Sequence, residues 1–112
     1  MERTRPVATL QSDLAEFTAR AGQVADLLKA LGNRARLMVL CTLVEAGEMR
    51  VGELAEAVGL SQSALSQHLA KMREERLVAF RRDGQALFYR IGDPRCEALL
   101  AALHRLYCSQ ET

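Results

Sequence analysis

Three cysteines carry most of the reactive chemistry available to this chain of 112 residues: Cys41 in the apolar run 37–44, Cys96, and Cys108 near the end. A thiol attacks or ligates only as the thiolate, so the surroundings of each decide what it can do. At helical spacing Cys108 shares a face with Glu97, Ala101, His104 and Arg105, and the last two are suited to stabilising its thiolate. Cys41 falls on an apolar stripe, where a free cysteine also serves as a small buried hydrophobe. Cys96 has the helical phase of Leu99 and Leu103, which assigns it to packing, although a first-turn position would lower its pKa. His104 and Cys108 stand at i, i+4, but two ligands do not close a tetrahedral metal site. No Cys-x-x-Cys occurs, and nothing supplies a third group to orient a Cys–His pair, so a thiol enzyme is not expected.

The elements that would position these thiols can be read from caps and periodicity. Ser12 or Asp13 is expected to cap a helix running to Leu31, with Gly32 as a left-handed stop and Asn33 as the next cap. Leu37, Leu40, Cys41 and Val44 have the spacing of a core-facing stripe on a second helix that ends near Gly47. Leu54, Ala55 and Val58 mark a short third helix stopped by Gly59, and Ser61 caps a fourth whose Leu65, Leu69 and Met72 point inward. Residues 77–82 and 85–91 flank Asp83-Gly84, a hairpin signal that would pair Arg82 with Gln85, Phe80 with Leu87 and Val78 with Tyr89. Asp93-Pro94 opens a last helix that runs to about Cys108.

This order predicts a mainly α fold with a small β-hairpin: a winged helix-turn-helix of about five helices and a two-stranded wing. Residues 12–109 would form the domain, 1–11 a flexible N-terminal arm and 110–112 a C-terminal tail. A chain this short gains from a second copy, so a homodimer is expected.

The polar face of the fourth helix then acquires a role. A major groove about 12 Å wide admits a helix, and uncharged amides and hydroxyls can read base edges while cations hold phosphates. Gln62, Ser63, Ser66, Gln67 and His68 fit the first task, and Lys71, Arg81 and Arg82 the second. The formal net charge is only +1, but six of the basic residues fall between Ser61 and Gly92 against three acidic ones, so positive charge gathers where double-stranded DNA would lie. Scarce aromatics and the lack of tryptophan exclude a base-stacking sheet. The apolar run at 37–44 is far short of the roughly 20 residues that a membrane span needs, and an odd number of cysteines suits a reducing compartment. A cytoplasmic protein without membrane contact is the expectation.

Several stretches resemble the ArsR family of winged-helix repressors: Leu28-Lys29-Ala30-Leu31-Gly32-Asn33-Arg34-Ala35-Arg36-Leu37, Glu53-Leu54-Ala55, Gly59-Leu60-Ser61-Gln62-Ser63, Ser66-Gln67-His68-Leu69 and the hairpin at Arg82-Asp83-Gly84. The resemblance covers about residues 15–108. It implies a homodimer, with its first and last helices at the interface, bound to an imperfect palindromic operator until an inducer releases it. The paired cysteines of the family's arsenic and cadmium sensors are missing from residues 51–58, and Arg95 and Leu106 stand where its zinc sensors want histidine. No metal site and no cofactor are therefore expected. A cysteine in the second helix and another near the end of the last resembles the family's persulfide-sensing branch. That likeness implies that Cys41 and Cys108 are neighbours joined by reactive sulfur species. A general oxidant sensor working by a disulfide, and a thiolate sensor of arsenic or another soft metal, remain the alternatives.

Overall fold

Arg20 divides the first predicted helix in two. The computed structural model describes residues 7–108, with helix α1 at Val7–Ala19 and α2 at Ala21–Leu31, and Arg20 between them at φ −108°, ψ 7°. The helix thus starts earlier than Ser12 or Asp13, and residues 7–11 of the expected arm are helical; the rest of the arm and the 110–112 tail lie outside the described residues. The sequence signal for this earlier start is Pro6, next to Val7 in sequence, since proline favours the opening of a helix. Gly32 ends α2 without the left-handed geometry expected: its φ is −78°, and its N–H donates to the Lys29 carbonyl at 3.2 Å. The chain divides here into two compact units, the second starting at Asn33.

In the second unit the caps stand where the residue types required them. The Asn33 side chain accepts the Arg36 N–H at 3.1 Å and starts α3 at Arg34–Ala46. Strand β1 at Met49–Arg50 leads directly into α4 at Val51–Val58, which Gly59 terminates in the left-handed region at φ +73°. Ser61 Oγ accepts the Ala64 N–H at 3.1 Å to start α5 at Gln62–Glu74. Strands β2 at Val78–Asp83 and β3 at Ala86–Ile91 follow, and Asp93, accepting the Arg95 N–H at 2.9 Å, caps α6 at Pro94–Tyr107.

The outcome is a winged helix-turn-helix, with six described helices instead of about five and a third strand in the wing. The antiparallel order is β1-β3-β2, with Met49 opposite Tyr89 and Arg50 opposite Phe88. Two residues are too few to show the alternation that marks a strand, so β1 carries no signal of its own.

The hairpin register also differs from expectation. Asp83 pairs with Ala86, Arg82 with Leu87, Phe80 with Tyr89 and Val78 with Ile91, leaving Gly84-Gln85 as the turn instead of Asp83-Gly84. Gly84 has φ +65° while Gln85 does not enter the positive region, which suits a turn taking glycine first. The slip is two residues, so every side chain keeps its expected face; a slip of one would have reversed them all.

The core gathers Val39, Leu40 and Leu43 of α3 with Leu54 of α4, Leu65, Leu69 and Met72 of α5, and Cys96 and Leu100 of α6. Of the stripe expected on α3 only Leu40 is fully buried; Leu37, Cys41 and Val44 are half-buried on its shoulder. The α3 helix meets α4, β3 and α6, three partners that together draw the buried face toward Val39 and Leu43.

Candidate functional site

A tight turn holds α5 against α4, and the apolar side of α5 is used entirely by the core. Leu65, Leu69 and Met72 are at most 1% exposed, which turns Gln62, Ser63, Ser66, Gln67 and Lys71 to solvent. His68, grouped with them from sequence, is half-buried on the flank of this face. The Gln62 amide lies beside Gly52 at the start of α4, close enough that a Cβ there would meet Nε2 at 3.5 Å.

In the wing, the two arginines expected to meet phosphates have different surroundings. Arg82 is exposed near the hairpin tip. Arg81 donates from Nε to Glu48 Oε2 at 2.8 Å and from Nη2 to Glu48 Oε1 at 3.0 Å, and its guanidinium lies 4.5 Å from the centre of the Phe88 ring. This pairing holds the Glu48 carboxyl below its usual range and pushes Arg81 up, each shift led by the shared hydrogen bond. Arg50, which the sequence reading passed over, reaches the same ring from β1 at 5.4 Å. Its role depends on β1 lying beside β3, and no local pattern announces that pairing.

The thiols are distributed about α3 and α6. Cys41 is half-buried at a cavity of about 310 Å³ that is also lined by Val44, Glu45, Leu100, Ala101, His104 and Arg105. Cys108 is exposed at the C-terminal cap of α6, its N–H donating to the His104 carbonyl at 2.8 Å. Burial pushes the Cys41 thiol up, and the negative charges of Cys108 and then Glu45 push it further. His104 approaches Glu45 at 3.8 Å, an ion pair when the imidazole is protonated, so its ring reaches across to α3. All three thiols are free, and no group of three or more potential metal ligands occurs among the described residues.

Cys96 is fully buried, and desolvation, followed by the charges of Asp93, Cys41 and Glu97, lifts its thiol to about 11. Burial therefore outweighs the first-turn position that would have lowered it. From the ordinary value of 9.0 upward the unfolded chain loses this proton while the folded chain keeps it, so stability falls between pH 9.0 and about 11. The contribution is about 2–3 kcal/mol at about 1.4 kcal/mol per pH unit. Denaturant titrations across this window will show a shallower alkaline decline for Cys96→Ala than for the parent; equal declines would contradict the assignment.

The sequence pattern defining the bacterial regulatory proteins of the arsR family matches residues 33–79, from the cap of α3 into β2. The biofilm growth-associated repressor of Xylella fastidiosa is 43% identical over 108 residues, which is 96% of this chain and 90% of that protein. The chain belongs to the ArsR family. Solved relatives share the architecture: the transcriptional repressor BigR from Xylella fastidiosa has a TM-score of 0.78 at 43% identity, covering 86% of this chain and 97% of that one. Reduced HlyU from Vibrio cholerae has a TM-score of 0.77 at 44% identity, covering 84% and 98%. This ArsR-family protein is a DNA-binding transcriptional repressor, and its relatives are transcriptional regulators, not enzymes. Among its described residues no helix is long and apolar enough to cross a membrane.

Proposed function

We propose that this repressor leaves its operator when reactive sulfur species link Cys41 to Cys108. The observation that carries the reading is the placement of Cys41 at the cavity walled by α6, where its ionisation feels the charge of Cys108. Exposed Cys108 acts first. With an organic trisulfide, R–S–S–S–R, its thiolate attacks the central sulfur and the first RS⁻ departs with the bonding pair. The adduct removes the negative charge at Cys108, so Cys41 now ionises more readily. The Cys41 thiolate then attacks the same sulfane sulfur and expels the second RS⁻. The products are one Cys41–S–S–S–Cys108 bridge and two RSH, which take up the two thiol protons. Protein sulfur is oxidised, and the trisulfide is reduced.

Each additional sulfur lengthens the bridge, whereas a bare disulfide requires α-carbons within about 7 Å. Separation of the two thiols is thus a means of favouring polysulfides over peroxide. The bridge ties α3, which packs on α4 of the helix-turn-helix, to α6. Leu106 and Tyr107 of α6 are exposed, as are Leu14, Phe17 and Leu28 in the first unit, and such apolar surface suits a homodimer on an imperfect palindrome. Recognition helices in a dimer must match half-sites about 34–36 Å apart, so a bridge that changes their spacing costs affinity.

The test is Cys41→Ser and Cys108→Ser in the full-length repressor. Both variants will bind operator like the parent and stay bound after treatment with a trisulfide, while intact mass shows a single bridging sulfur in the parent alone. Release of either variant at the parent's dose refutes the two-thiol mechanism. A mass loss of two hydrogens with peroxide, accompanied by equal release, would favour the general oxidant sensor, and retained metal the soft-metal sensor.

A further inference from the structure

The solvent-facing side of the wing contains an arrangement that DNA binding alone does not call for. Residues opposite one another across β1-β3-β2 place Arg50, Phe88 and Arg81 in one row, with the ring in the centre strand and a guanidinium reaching it from the strand on either side. Glu48 then engages Arg81 through both carboxylate oxygens, at 2.8 and 3.0 Å, while Asp83 stands 3.9 Å from Nη1. A two-point carboxylate pair is the strong, directional form of this contact, and ring stacking fixes the plane of the guanidinium. Two carboxylates thus offset one arginine at a place where the family's function calls for positive charge.

We propose that Glu48 is a positioning residue that masks Arg81 from DNA phosphates and so holds the repressor's affinity below what its wing arginines would otherwise provide. The inference rests on the reading that the wing faces the DNA backbone. In that setting a phosphate must displace Glu48 before it reaches Arg81, so Arg81 releases few counterions on binding. Arg82 and Lys71 supply the unmasked charge.

The experiment measures binding of the full-length protein to a labelled random-sequence duplex of about 30 base pairs as a function of salt, because non-specific affinity is almost wholly electrostatic. Glu48→Gln keeps the shape of the side chain and removes its charge. It will bind roughly tenfold tighter at low salt, with a salt slope steeper by about 2 for a dimer, at about 0.9 for each phosphate newly neutralised. In an Arg81→Ala background the same substitution will change neither. The proposal is overturned if Glu48→Gln weakens binding or leaves the slope unchanged while Arg82→Ala makes it shallower. It is also overturned if Glu48→Gln tightens binding equally without Arg81, which would be a general effect of removing an acid near DNA. Should neither Arg81→Ala nor Arg82→Ala move the slope, the reading of the wing as a phosphate contact fails, and this proposal with it.

Discussion

Leu40→Ala will destabilise the protein by about 2–5 kcal/mol, the range for emptying a leucine site in a packed core. Leu40 has no exposed surface, and its helix α3 is shared by α4, β3 and α6, so neighbours anchored in three directions cannot all collapse into the space left behind. Domains of this size are stable by only about 5–15 kcal/mol, so the variant gives up a large fraction of its margin. Urea titration will show the midpoint falling with little change in slope. Met38, two residues earlier on the same helix and 47% exposed, provides the contrast: Met38→Ala should cost well under half as much. Equal losses at the two positions would mean that α3 does not bury the face that carries Leu40.

The largest expected effect on function is at Gln67. It is exposed midway along the polar face of α5, one turn beyond Ser63 and beside Ser66, while Leu65 and Leu69 hold the helix from behind. An amide that pairs with an adenine edge contributes about 1–3 kcal/mol of base discrimination, and a dimer makes the contact twice. Gln67→Ala should therefore weaken operator binding by about thirtyfold to more than ten-thousandfold, while changing affinity for a scrambled duplex little. Lys71→Ala should behave in the opposite way, weakening both duplexes alike and making the salt dependence shallower. Fluorescence anisotropy on the two duplexes at two salt concentrations distinguishes these outcomes. If Gln67→Ala weakens both equally, Gln67 does not read bases.

The features behind both predictions are unequally legible in the amino-acid sequence. Asn33, Ser61 and Asp93 start their helices because short oxygen-bearing side chains satisfy backbone N–H groups two or three residues ahead, a local requirement that sequence states openly. Gly59 stops α4 for a similarly local reason. The helical phase of Cys96 assigns it to packing, and full burial agrees, though its buried partner on α6 is Leu100 and not Leu99 or Leu103. Periodicity alone leaves the α3 stripe off-centre because Leu37, Cys41 and Val44 fit the apolar spacing as well as Val39 and Leu43 do, and only the neighbours of α3 choose between the two faces. The hairpin is legible in the sequence but its register is not, and differs by two residues, since Asp83-Gly84 and Gly84-Gln85 are both compatible with a tight turn.

What the amino-acid order determined by itself was everything governed by neighbours a few residues apart: which segments become helices, where most of them begin and end, which side of α5 is polar, and membership of a family of DNA-binding repressors. Tertiary structure alone decided matters that require residues distant in sequence to meet. It made β1 a third strand beside β3, placed Glu48 on Arg81 across 33 positions, and turned His104 toward Glu45. Local periodicity constrains a side chain's direction from its own element, but the partner it encounters there depends on how separate elements pack, and that depends on the whole chain.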